Sequence, residues 1–103
     1  MVGILEDKRS QIAAACADHH QVQRLDVFGS AVRDDFQPGD SDVDLLVDFG
    51  QMDPYDRIDA YFDLLEKLRG LLGADVDLVM VDAVKNRYIA ADIERTRQLL
   101  YAA

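Results

Sequence analysis

Apolar residues along this chain follow two periods, strand alternation and helical spacing, and each marks a kind of element. From Asp42 to Phe49, Val43, Leu45, Val47 and Phe49 fall on one side while Asp42, Asp44, Leu46 and Asp48 fall on the other, which predicts a strand. A second alternation spans Ala74 to Val81, with Val76, Leu78 and Met80 opposite Asp75, Asp77, Val79 and Val81. Val22 to Phe28 predicts a shorter strand with Leu25 and Val27 on one side, ending at Gly29.

Helical spacing takes over elsewhere. Ile58, Tyr61, Phe62, Leu65, Leu68 and Leu72 repeat at three and four, so one long helix is expected to lie on the sheet as its main cover. Asp53 is a good N-cap with Pro54 at the first helical position, and Gly73 stops the helix. Ile4 to His19 predicts an N-terminal helix with Leu5, Ile12, Ala15, Cys16 and His19 near one face. Asp82 is expected to cap a final helical region in which Tyr88, Ile89, Ile93, Leu99 and Leu100 make apolar contacts. Lys85, Arg87, Arg95 and Arg97 form its solvated polar face, with Lys85 and Arg87 near enough to the Asp77 strand to reach a ligand. The class is therefore α/β (α+β), a small mixed β-sheet covered by helices.

Composition bounds the rest. A chain of 103 residues, half of them apolar, supports one domain over residues 1–103. No apolar run approaches the roughly 18 residues of a membrane span, and the N-terminus lacks a secretory pattern, so a cytoplasmic protein is expected. A net charge of -9 argues against stable nucleic-acid binding and favours a basic partner. Cys16 is the lone cysteine and reads as a small core residue. His19 and His20 point in different directions on a helix and read as its solvated end.

Chemistry concentrates between Phe28 and Phe49. Gly29-Ser30 follows a strand and opens a short helix, Ala31 to Asp35, whose first amides have no internal partner and face whatever lies ahead, with phosphate the natural guest. After a loop marked by Pro38-Gly39, strand alternation puts Asp42 and Asp44 on one face about 6–7 Å apart, a layout for divalent metal. Asp77, charged in the middle of an apolar strand, needs a cation. Other phosphate and metal motifs are missing: no Walker-type loop, no Gly-x-Gly-x-x-Gly, and no EF-hand, because Asp40 to Asp44 lacks the Gly and Glu that loop requires. A glycosidase-type carboxylate pair would need a sugar cleft that so small a domain can hardly build.

Phe28-Gly29-Ser30-Ala31-Val32-Arg33, Ser41-Asp42-Val43-Asp44-Leu45-Leu46-Val47 and Val76-Asp77-Leu78-Val79 together resemble the DNA polymerase beta-like nucleotidyltransferase superfamily. Within it they resemble the minimal nucleotidyltransferase (MNT) family. The likeness spans nearly the whole chain. Two departures are visible: eleven residues separate Ser30 from Asp42, slightly more than is commonest, and Asp34 stands where a Gly often follows the Arg. The resemblance implies that Gly29 and Ser30 hold a triphosphate, with Arg33 able to touch a phosphate. It implies that Asp42 and Asp44 bind two magnesium ions, or manganese in their place, and that Asp77 binds the catalytic one, with Asp75 next in line for that role. Asp48 reads as a solvated strand end.

Larger members of that superfamily carry an added helical domain for the acceptor; none is expected in this sequence, so a partner, a second subunit or a substrate that is itself a protein is expected to supply the surface. The MNT resemblance implies the antitoxin of a HEPN/MNT toxin-antitoxin pair. Such an antitoxin transfers AMP from ATP to a tyrosine of the HEPN ribonuclease toxin, which leaves a hetero-oligomer of the two as one open assembly. Two alternatives stand beside it: a non-catalytic antitoxin that neutralises by binding, and a nucleotidyltransferase acting on an aminoglycoside-like small molecule.

Overall fold

The computed structural model describes residues 3–18, 21–32 and 42–103. Helices α1 (Gly3–Asp7) and α2 (Arg9–Asp18) lead into β1 (Arg24–Phe28) and a 3-10 turn at Gly29–Ala31. Then come β2 (Val43–Asp48), α3 (Pro54–Leu72), β3 (Val76–Met80), a second 3-10 turn at Val81–Ala83, α4 (Arg87–Thr96) and β4 (Gln98–Ala102). The strands form one mixed sheet in the order β3-β2-β1-β4. β1 runs antiparallel to both of its neighbours, and β2 and β3 are parallel, joined through α3.

Strand alternation sorts the sheet into two faces as the pattern predicts. Val43, Leu45, Val47 and Phe49 join Leu25, Val27, Val76 and Leu78 in the main core, where α2 adds Ile12 and Cys16 and α3 adds Leu64, Leu65, Leu68 and Leu72. On the opposite face a smaller cluster of Phe28, Leu46 and Ile93 seats α4. Asp53 caps α3, its side chain accepting from the Tyr55 amide at 2.9 Å, and Gly73 closes the helix at φ 59, where a left-handed residue is needed. The Tyr61 hydroxyl donates to the Leu78 carbonyl at 2.6 Å and ties α3 to β3.

Several expectations change. The N-terminal helix is interrupted by a turn at Lys8, and His19 and His20 lie outside the described residues. Ile58 and Phe62 do not cover the sheet: they are 52% and 60% exposed, because the first half of α3 reaches the core through Ala60 and Tyr61 and the second half through Leu64, Leu65, Leu68 and Leu72, a stripe turned slightly around the helix. Asp82 caps nothing. It lies in the 3-10 turn and pairs with Arg57 of α3, while Asn86 caps α4 by accepting from the amides of Tyr88 and Ile89 at 2.8 and 3.3 Å. The final helix stops at Thr96, and Leu99 and Leu100 belong to β4, which pairs with β1.

Arg97 marks that change of direction. Its backbone turns to φ -57, ψ 135, and its guanidinium reaches the Asp26 carboxylate in β1, with Nε at 2.7 Å. Asp26 is fully buried and also takes both oxygens to Arg24 Nε, at 3.0 and 3.1 Å. A buried carboxylate is tolerated only when paired in this way. Burial works to lower the Arg97 pKa, but the hydrogen bond and charge of Asp26, with a smaller share from Glu94, outweigh it and the net shift is upward.

Candidate active site

β1 ends at a glycine for a steric reason. Gly29 takes φ 72, a conformation that L side chains rarely adopt. A Cβ there would stand 2.6 Å from Asp44 Oδ2. Hydrogen alone fits, so the turn packs its backbone directly against that carboxylate.

Asp44 is held on its other side by sheet register. In the antiparallel pair it faces Phe28, the residue before the turn, and in the parallel pair it faces Asp77. Neighbouring strands run about 4.8 Å apart, so the two carboxylates project from adjacent positions. Among the described residues no third His, Cys, Asp or Glu closes with them into a set that could hold a metal ion. Asp42, one residue before β2, is exposed and shares the Asp44 side by alternation. Next to it the Val43 amide donates to the Asp75 carbonyl at 2.9 Å, which locks the start of β2 to β3. Asp75 lies before β3 and has no place opposite Asp44. Asp48 is half-buried and accepts from the Gly50 amide at 2.8 Å. Arg33 lies outside the described residues.

Over this floor opens a cleft of about 610 Å³, lined below by Asp44, Asp77 and Val79. That volume lies within the roughly 300–1,000 Å³ of small-molecule sites. Its wall is α4 and the loop before it, with Lys85, Tyr88, Ile89 and Asp92. Lys85 is the cation among these acids. Of these residues, sequence reasoning reached Asp44, Asp77 and Lys85, but it missed Asp92. Asp92 carries no sequence signal of its own: the seating of α4 on Phe28 and Leu46 brings it to the edge of the cleft, where its carboxylate also pairs with Arg95 at 3.2 Å.

The turn itself is engaged. The Gly29 amide donates to Thr96 Oγ1 at 2.9 Å, and that hydroxyl donates onward to the Asp92 carbonyl at 2.7 Å. What the turn offers a phosphate therefore lies beyond Gly29, at Ser30, which is half-buried at the head of the 3-10 turn. Thr96 was not legible as a partner, since it lies 67 positions after Gly29.

The donor set fits a hard divalent cation, because carboxylate oxygens are what magnesium and manganese take. Adjacent carboxylates would hold such a cation, and the largely apolar cleft above them leaves room for a nucleoside.

Residues 9–100 match the nucleotidyltransferase domain family. The chain is 39% identical over 77 residues to a Methanocaldococcus jannaschii protein that carries a provisional protein adenylyltransferase name, covering 75% of this chain and 74% of that one. It is similar at 32% identity and TM-score 0.74 to a solved structure described provisionally as a minimal nucleotidyltransferase, covering 91% of this chain and 90% of that one. A third likeness, at 21% identity and TM-score 0.64 over 95% of this chain and 72% of the other, is to a structure described as a tri-AMPylated Shewanella oneidensis HEPN toxin in complex with an MNT antitoxin. At that identity it speaks for the fold alone.

Proposed function

This chain belongs to the nucleotidyltransferase domain family, in its minimal branch, and from that premise we propose that it is a magnesium-dependent protein adenylyltransferase. It moves AMP from ATP to a tyrosine hydroxyl of a HEPN-type toxin and so acts as an antitoxin, a reading supported by the protein adenylyltransferase name of the Methanocaldococcus relative and by the Shewanella complex of an AMPylated HEPN toxin with an MNT antitoxin. A cytoplasmic setting goes with the ATP it uses. The observation that carries the reading is the register that sets Asp44 beside Asp77 under the cleft, with Gly29 against the Asp44 carboxylate.

Asp44 and Asp77 would hold magnesium, or manganese in its place, and Asp42 at the start of β2 is a proposed further ligand on its strand face, although the described side chains do not bring the three into one set. Magnesium, when bound, supplies positive charge that offsets the phosphate oxygens and lowers the pKa of the attacking hydroxyl. The Ser30 end of the turn orients the β- and γ-phosphates, Arg33 adds a charge to them, and the nucleoside lies against the α4 wall. The acceptor oxygen attacks the α-phosphorus, its proton passes to the Asp77 carboxylate, and the bond to the β-phosphate breaks with its electron pair leaving on pyrophosphate. The acidic surface of the chain suits a basic, RNA-cleaving partner.

The test is transfer from α-labelled ATP, with magnesium, to the co-purified toxin. Label on the toxin that disappears on Tyr→Phe replacement of its acceptor supports the reading. An unlabelled toxin in a complex that still binds ATP sinks it.

A further inference from the structure

We propose that Thr96 is a positioning residue of the transfer site: its hydroxyl fixes the Gly29–Ser30 turn against Asp44 and couples that turn to the wall of the cleft. The inference rests on the transferase reading above and deepens it.

The hydrogen-bond polarity at Thr96 is unambiguous. A carbonyl only accepts, so the hydroxyl hydrogen goes to the Asp92 oxygen at 2.7 Å. An amide only donates, so Gly29 N–H, at 2.9 Å, must use a lone pair of the same oxygen. One hydroxyl therefore joins the last turn of α4 to the first residue after β1. Thr96 is itself held from the next position along the chain, because Arg97 closes the helix through its amide to the Ile93 carbonyl at 2.7 Å and pairs with the buried Asp26 of β1. Two side-chain contacts thus hold the end of α4: Arg97, just past it, pairs with Asp26 of β1, and the Thr96 hydroxyl takes the Gly29 amide of the turn.

Position at this point matters because there is no slack beneath it. The Gly29 backbone packs so closely on Asp44 that a single added carbon would come within 2.6 Å of its Oδ2. A turn that loses its tether moves relative to the carboxylate, and with it moves Ser30. Asp92, which anchors the hydroxyl, also lines the cleft beside Asp44 and Asp77, so Thr96 sets the width between the phosphate end of the site and its α4 wall.

Thr96→Val keeps the shape and removes the hydroxyl, and Thr96→Ser keeps the hydroxyl and removes the methyl group. Each is purified with its partner, and we read kcat for AMP transfer, the affinity for AMP-PNP with magnesium by calorimetry, and the thermal midpoint. A misplacement near 1 Å costs up to about 100-fold in rate. Thr96→Val is therefore expected to lose about 10- to 100-fold in kcat and to bind AMP-PNP about 10-fold more weakly while still folded, and Thr96→Ser to stay within about 2-fold of the wild type on both counts. A Val variant with wild-type kcat and affinity, or a Ser variant as impaired as Val, overturns the proposal. Should Thr96→Val fail to fold, amide exchange in the wild-type chain decides: Gly29 is expected to be protected, and fast exchange at Gly29 refutes the tether. A wild-type chain that binds no nucleotide overturns the transferase reading instead, and the exchange at Gly29 still reports separately on the hydrogen bond.

Discussion

Replacing Arg97 by Met removes the principal partner of a carboxylate that water cannot reach. The Asp26 side chain is 1% exposed and that of Arg97 is 24%, so most of the pair is desolvated. Breaking a buried pair from one side costs about 3–5 kcal/mol, because a charge is left uncompensated. Here Arg24 remains, with Nε at 3.0 and 3.1 Å from the two oxygens, but its side chain is 47% exposed and compensates only in part. The expected loss is therefore about 2–3 kcal/mol, which for a domain of this size lowers the thermal midpoint by roughly 10–20 °C. The companion variant carries Asp26→Leu as well. Position 26 faces Leu46 and Leu99 across the sheet, and a Leu there extends the Phe28, Leu46 and Ile93 cluster. Replacing both charges by apolar groups is often neutral, so the double variant is expected within about 1 kcal/mol of the wild type. Urea melts followed by circular dichroism measure both. A single variant within about 0.5 kcal/mol of wild type, or a double variant no better than the single, refutes the view that Asp26 is a buried charge held by Arg97.

Burial pushes the Cys16 thiol from 9.0 up to about 12, so the folded chain should resist Ellman's reagent at pH 8 and react only after unfolding. The thiol keeps its proton in the folded state but loses it in the unfolded chain, so this group's contribution is intact below pH about 9 and declines as pH rises toward about 12, which urea midpoints across that range will read. Gly29→Ala forces a positive φ on a side chain, at a cost of about 1–2 kcal/mol, and displaces Asp44; AMP transfer should drop below detection while circular dichroism still reports a folded chain. Tyr61→Phe loses the bond to the Leu78 carbonyl and should cost about 1 kcal/mol in a urea melt.

Elements whose signals are local were readable from the chain. Alternation at Val43 to Phe49 placed Asp44 on its face, and Asp53-Pro54 and Gly73 bounded α3 to the residue, because caps and strand faces depend on neighbours a few positions away. What escaped depends on contacts between distant residues. Leu99-Leu100 continues a helical pattern until β1 offers a pairing edge, and Arg97 reads as a surface charge until Asp26, 71 residues earlier, is brought against it. A signal for Asp26 was present, since a lone carboxylate between Leu25 and Val27 needs a cation if it is buried; the same argument misfired at Asp77, whose side chain is exposed in β3 and carries no burial cost. Ile58 and Phe62 misled because helical spacing shows that a stripe exists but not which edge of it meets the sheet.

The measurement closest to the central claim is the intact mass of the HEPN-type partner after co-expression with this chain. The account predicts a mass increase by whole AMP units with the wild-type chain, and none with Asp44→Asn or Asp77→Asn variants that still co-purify with the partner. A partner that gains AMP beside the double Asp44→Asn, Asp77→Asn variant, or one that stays unmodified yet silenced beside the wild type, contradicts it.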